Sequence, residues 1–262
     1  MCGAGALPAR MAEEAKRRGW RVVAFAFDDA AAVSPHVERV VPARFDELGP
    51  VLSALQAEHL SAVLFSGRFS MGEIVRADAA RADSFSRGLT ERTGSRVDAK
   101  LVSTIITTLA ALGIEVLDQR PFFGDALAPA GVWAGRAPSE PEWADLRHGL
   151  GVARTVADAR IGQTVVVRHG VVTAIEAIEG TTEAIRRGLA HAGPGAVVVK
   201  AVAREHDYRF DVPAVGLETV ETAIAGGAGV LAVEAGRVAV LDRDAIARKA
   251  DGAGLALVGV EA

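Results

Sequence analysis

The apolar positions change period repeatedly along the chain, and the changes mark out its elements. Arg21–Phe27 (RVVAFAF) and Ser61–Gly67 (SAVLFSG) are nearly continuous apolar runs, as expected of strands covered on both faces. Residues 45–57 carry helical spacing. Asp98–Gly113 reads as a helix stopped by glycine, and Ile114–Asp118 reads as the strand after it. Alternation of this kind predicts a parallel sheet with right-handed crossovers, an α/β domain. Ligands in such sheets lie beyond the carboxyl ends of the strands. That rule points to Gly67-Arg68 and to the opening Gly3–Leu7, where a Gly-Ala-Gly turn through Gly3 and Gly5 feeds a helix carrying Leu7, Met11 and Ala15. A glycine turn before a helix N-terminus suits an anion, although a tight turn alone explains the same residues. Such loops usually follow a buried strand, and here almost nothing precedes Gly3. Residues 69–97 are polar and arginine-rich with little periodicity, and they read as a mobile loop.

The texture changes past a Pro/Gly-punctuated link. Ser139 and Glu142 form a capping box for a helix running to about Asp158. We therefore expect a first domain over 1–125, a linker over 126–138 and a second α/β domain over 139–262. In that second domain Gln163–Gly180 reads as a hairpin around His169-Gly170. Residues 181–192 read as a helix capped by Thr181 or Thr182, Ala196–Val202 as a strand and residues 217–226 as a helix. Val230–Gly236 with Arg237–Asp242 reads as a second hairpin. Asp242 is placed to cap a last helix, and Leu255–Val260 is a final strand.

Half of the 262 residues are hydrophobic, enough for a sizeable core, and the net charge of −4 argues against a nucleic-acid binder. One cysteine, Cys2, excludes an internal disulfide and a cysteine metal cluster and fits a reducing cytoplasm. No apolar run approaches the ~20 residues that span a bilayer, and the start lacks a signal-peptide pattern. A soluble, cytoplasmic protein is expected, with membrane contact only at a surface.

The densest chemistry lies in Asp207-Tyr208-Arg209-Phe210-Asp211, before Val212-Pro213. Extended, these residues would put Asp207, Arg209 and Asp211 on one face and Tyr208 and Phe210 on a face that packs into a core. Two carboxylates around a guanidinium suit a hard divalent cation and a phosphate; an exposed charged strand edge has the same pattern. Upstream, Glu176 and Glu179 lie beside the Gly180-Thr181-Thr182 turn. Glu179 is the preferred site acid, with Gly180 and Thr181 able to hold a phosphate at the helix start or simply to cap it. Lys200 and Arg209 are candidate phosphate neutralisers.

Four stretches, LAPAGVWAGRAPSE, GQTVVVRHGVVTAIEAIEGT, VVVKAVAREHDYRFDVPAVGLETVE and GVLAVEAGRVAVLDRDAI, follow one another at the spacing of one bacterial family. The chain resembles the UDP-2,3-diacylglucosamine pyrophosphatases of the LpxI type, most strongly from Leu127 to Val258. The resemblance implies hydrolysis of UDP-2,3-diacylglucosamine to 2,3-diacylglucosamine 1-phosphate (lipid X) and UMP, in lipid A synthesis. It implies a Rossmann-like N-terminal domain, a distinct α/β C-terminal domain and a glycolipid bound between them. A homodimer, peripheral contact with the inner membrane and a Mg²⁺ requirement also follow from it. The aspartate of the family's RFD-x-P motif, catalytically essential there, maps to Asp211, and Asp207 matches a second family aspartate; both are candidates to bind Mg²⁺ or orient the attacking water. Where the family tends to have K-P-x-Q-D, this chain has Ala203-Arg204-Glu205-His206-Asp207. A pyrophosphatase for another nucleotide sugar and a non-catalytic binder of such a ligand are the rival readings.

Overall fold

The computed structural model describes residues 1–69, 82–84, 86–88 and 99–261; the loop expected over 69–97 lies largely outside these. The chain forms two compact units, Met1–Gly124 with Asp207–Val212, and Asp125–His206 with Pro213–Ala262. Among the described residues no helix is long and apolar enough to cross a membrane.

The first unit contains α1 (Leu7–Arg17), β1 (Val23–Ala26), β2 (Arg39–Pro42), α2 (Leu48–Ala57), β3 (Ala62–Val63), α3 (Ala99–Ala111) and β4 (Glu115–Val116). Strands β1 and β2 pair in parallel, as do β3 and β4. Cys2 bridges both sets in parallel, to Ala26 on one side and Ser66 on the other. The order is therefore β2, β1, the Cys2 segment, β3, β4, the doubly wound arrangement whose direction of winding reverses at its centre. Alternation within β1 sends neighbouring side chains to opposite faces. Phe25 packs with Val51, Leu55, Leu109 and Val116, whereas Ala24 packs with Ala12 of α1. Helices thus cover both faces, which is why these strands read as unbroken apolar runs.

The second unit contains β5 (Gly131–Ala134), α4 (Glu140–Asp158), β6 (Thr164–Arg168), β7 (Val171–Ile175), α5 (Thr181–Ala192), β8 (Val197–Lys200), β9 (Ala214–Val215), α6 (Leu217–Ala225), β10 (Val230–Glu234), β11 (Ala239–Val240), α7 (Arg243–Ala253) and β12 (Ala256–Val260). Its six-stranded sheet has the order β5-β12-β10-β8-β6-β7. Leu146, Leu150 and Ala153 of α4 bury one face of it, against Val165, Val167, Val197 and Val199. The capping box forms as expected: the Glu142 carboxylate accepts the Ser139 N–H at 2.8 Å. Two helical glycines permit close approach on opposite faces. A Cβ at Gly149 of α4 would lie 2.8 Å from Val199 Cγ2, and one at Gly188 of α5 would lie 2.5 Å from Val166 Cγ2.

Several expectations are corrected. The hairpin over Val230–Asp242 does not form. Strand β10 runs parallel between β8 and β12, and β11 pairs in parallel with β9. The physical reason is burial: every residue of β10 is buried, and a wholly buried strand takes partners on both edges. Gly180, not Thr181 or Thr182, is the N-cap of α5. Asp242 occupies the cap position of α7 in a left-handed conformation, φ 59°, and its carboxylate makes no cap hydrogen bond. Tyr208-Arg209-Phe210 form a turn, not an extended strand. The turn keeps the expected polarity, because Tyr208 is buried while Asp207 and Asp211 are exposed.

Alanine is the better helix former, yet Gly188→Ala should lower stability by about 1–3 kcal/mol, because its methyl collides with the β-branched Val166. Urea unfolding followed by circular dichroism checks this; an unchanged or raised midpoint would show that the helix shifts freely.

Candidate functional site

In the first unit the glycine loop and Gly67-Arg68 are one structure. Gly3 N–H donates to Ser66 O at 2.8 Å, Ala4 N–H to Arg68 O at 2.9 Å, and Arg68 N–H to Ala4 O at 2.8 Å. The approach leaves no room for side chains: a Cβ at Gly3 would lie 2.5 Å from Arg68 O, and one at Gly67 2.8 Å from the Gly3 and Ala4 carbonyls. Gly67 also has φ +88°, a conformation that glycine adopts readily. Gly5, φ +100°, turns the chain into α1, which starts at Leu7. These residues lie at the reversal point of the sheet, where doubly wound folds take their ligands.

The acidic turn belongs to the same unit. Asp207 Oδ1 accepts the Arg209 N–H at 3.0 Å, and its carboxylate pairs with the Arg209 guanidinium at 2.7 Å. That hydrogen-bonded carboxylate raises the Arg209 pKa above its ordinary value, so the guanidinium stays charged. Beneath the charges the aromatics are anchored. Tyr208 O accepts the Gln119 N–H at 3.2 Å. The Phe210 ring lies 4.9 Å from that of Phe65, which lies 6.5 Å from that of Phe69. Phe69 follows Arg68 directly, so a run of rings connects the glycine loop with the turn bearing Asp207 and Asp211.

Sequence reasoning missed a contributor, Asp118-Gln119-Arg120, just beyond β4. Asp118 is held below the usual carboxylate range by its hydrogen bonds with Arg120, against burial and the nearby Asp207 charge. The Arg120 guanidinium lies 4.6 Å from the centre of the Tyr208 ring. The available signal was an Asp-x-Arg sequence at the carboxyl end of an expected strand, the same spacing as Asp207-Tyr208-Arg209.

In the second unit Thr181 and Lys200 come together, but with Glu176 rather than Glu179. Lys200 is 5% exposed. Its ammonium lies 3.1 Å from Thr181 Oγ1 and 3.9 Å from Glu176 Oε2, and the Thr181 hydroxyl donates to Glu176 Oε1 at 2.7 Å. Burial works against the Glu176 charge, yet Lys200, the Thr164 and Thr181 hydroxyls and the Gln163 N–H hold its carboxyl below the ordinary value. Glu179 instead pairs with Arg187 at 2.5 Å, near the start of the helix that Gly180 caps. A second missed acid is Glu234, fully buried at the end of β10. It accepts the Val202 N–H at 2.5 Å and the Arg154 Nε–H at 2.9 Å. Arg237 donates to Ala203 O at 2.5 Å. This group ties down the stretch from which the chain leaves the second unit. An acid inside the run VLAVEAG was its sequence signal, since a buried carboxylate requires partners.

Removing the Lys200 ammonium leaves Glu176 buried beside neutral groups. Lys200→Met should therefore cost about 3 kcal/mol at pH 7. The folded Glu176 pKa is lowered from 4.5, so its contribution is present above that value and lost as pH falls through the folded pKa. The gap between wild type and variant should narrow below it. Urea midpoints followed from pH 7 down through the acid range read this directly; a gap independent of pH contradicts it.

Comparison with known proteins covers both units. Residues 1–126 match the model of the LpxI N-terminal domain, and residues 129–258 match that of the LpxI C-terminal domain. The chain is also similar to a Caulobacter vibrioides protein named UDP-2,3-diacylglucosamine pyrophosphatase LpxI. The two are 30% identical over 277 residues, which covers 100% of this chain and 96% of the relative. With both of its domains matched from end to end, the chain belongs to the LpxI family.

Proposed function

We propose that the chain hydrolyses the pyrophosphate of UDP-2,3-diacylglucosamine in lipid A synthesis, giving UMP and 2,3-diacylglucosamine 1-phosphate. The observation that carries this reading is the end-to-end similarity, in both domains, to a relative named for that activity. Water attacks one phosphorus; a new P–O bond forms, the bridging P–O bond breaks, and the water gives up a proton. Asp211 orients that water, and Arg209, charged and fixed by Asp207, neutralises a phosphoryl oxygen. The loop of Gly3, Gly5 and Leu7 with Gly67 and Arg68 receives the nucleotide part, consistent with its place at the reversal point of the sheet. In the second unit Gly180 and Thr181 open α5 without a side-chain cap, leaving first-turn N–H groups for an anion, while Lys200 orders Thr181 and Glu179 steadies the turn.

Asp207 and Asp211 suit magnesium. Both carboxylates are exposed on one short turn, and Mg²⁺ takes one or two carboxylates and keeps the rest of its shell for substrate phosphate and water. Among the described residues no group of three or more His, Cys, Asp or Glu is placed to hold a metal, so the magnesium reading rests on these two carboxylates. Bound magnesium would supply charge neutralisation at the phosphoryl oxygens. An acylated substrate supports action at the cytoplasmic surface of the inner membrane, and the family resemblance supports a homodimer.

UMP release from UDP-2,3-diacylglucosamine, with Mg²⁺ and with chelator, tests the reading. Wild type should turn over only with metal, and Asp211→Ala should lose at least ~10²-fold in kcat. Near wild-type turnover by Asp211→Ala removes the assignment of that residue. No release by folded wild type would favour another nucleotide sugar or a binding role.

A further inference from the structure

The acidic turn has a counterpart. Asp118-Gln119-Arg120 and Asp207-Tyr208-Arg209 are built alike: each aspartate Oδ1 accepts the arginine N–H, at 2.8 and 3.0 Å, and each carboxylate also binds that arginine's Nε–H. The turns are joined through their middle residues, because Gln119 N–H donates to Tyr208 O at 3.2 Å. Gln119 is 1% and Tyr208 6% exposed. Arg120 reaches across the joint and places its guanidinium over the Tyr208 ring, 4.6 Å from its centre. Asp118 fixes the cation at that point and is itself close enough to Asp207 to feel its charge. The residues that bracket Tyr208 are those assigned to the chemistry, Asp207 and Arg209, with Asp211 one turn away.

We propose that Arg120 is a positioning residue for hydrolysis: by clamping the Tyr208 ring it sets where the Asp207 and Asp211 carboxylates stand. This rests on the pyrophosphatase reading. An exposed Asp–Arg pair contributes little to folding by itself, so changing Arg120 acts locally. A cation over an aromatic face is held by charge and by stacking. Removing both frees the ring, and small displacements of catalytic groups are costly to rate.

Tyr208 is the chain's one tyrosine, so full-length protein made with ζ-¹³C-tyrosine gives a single ¹³C resonance from this joint, unaffected by ring flips because Cζ lies on the flip axis. The experiment records that resonance, with kcat and KM for UMP release, in wild type, Arg120→Gln and Arg120→Lys. The proposal expects Arg120→Gln to broaden or split the resonance and to lower kcat ~10-fold or more with KM within ~2-fold. Arg120→Lys, which keeps a cation over the ring, should return one sharp resonance and most of kcat. Two results overturn the proposal in an active wild type. A kcat loss with a sharp, single resonance would mean that Arg120 acts without the ring. A broadened resonance with unchanged kcat would mean that the ring's seat does not set the rate. A wild type that releases no UMP overturns the pyrophosphatase reading instead, and the role assigned to Arg120 with it.

Discussion

The seating of two aromatic rings, Tyr208 and Phe210, is the interaction on which the rest of the site depends. Between them and beside them the chain carries Asp207, Arg209 and Asp211, charges that gain nothing from burial. Fixing a backbone residue costs about 1–2 kcal/mol, and an exposed ion pair such as Asp207–Arg209 returns at most ~1 kcal/mol. A polar turn of this composition does not order itself. Apolar burial does it: Phe210 joins the core around Phe65, and Tyr208 closes on Gln119 and Arg120. The turn is continuous in sequence with the second unit but packs as part of the first.

Each unit carries a further constraint of its own. In the first, the sheet reverses its winding at the Cys2 segment, so Gly3 and Gly67 meet at its carboxyl edge without side chains between their backbones. In the second, Glu234 gathers Arg154 and the Val202 N–H at the end of β10, and Arg237 holds the Ala203 carbonyl. A fully buried carboxylate is costly unless each of its oxygens is satisfied. Here the satisfied acid fixes the backbone at Val202, just past the end of β8. Within the same unit β9 is held by its parallel pairing with β11.

What could be read in the sequence was what is encoded locally. The capping box at Ser139, the His169-Gly170 hairpin and the end of α4 at Asp158 depend on residues a few positions apart, and each appears where its spacing puts it. The buried strands of the first unit were legible because both faces are covered. The failures share a cause, since each depended on partners distant in sequence. Val230–Glu234 has no local signal choosing Val197–Lys200 and Ala256–Val260 over Arg237–Asp242. Glu176 was weighed against Glu179 on proximity to the turn, whereas burial beside Lys200 distinguishes them. Alternating polarity at Asp207–Asp211 suited a strand as well as a turn, and only an Asx bond to the Arg209 N–H selects the turn. Asp118-Gln119-Arg120 passed unnoticed because its significance lies in the residue across the joint, Tyr208.

The central claim is that the aromatic anchors matter to turnover through the carboxylates they place. The most direct measurement is a double-mutant cycle on UMP release with Phe210→Ala, Asp211→Ala and the two combined. The account predicts that Phe210→Ala slows wild type but slows Asp211→Ala no further, because the carboxylate it would displace is already gone. Full additivity of the two losses would contradict it, showing that the ring and the carboxylate serve the reaction independently.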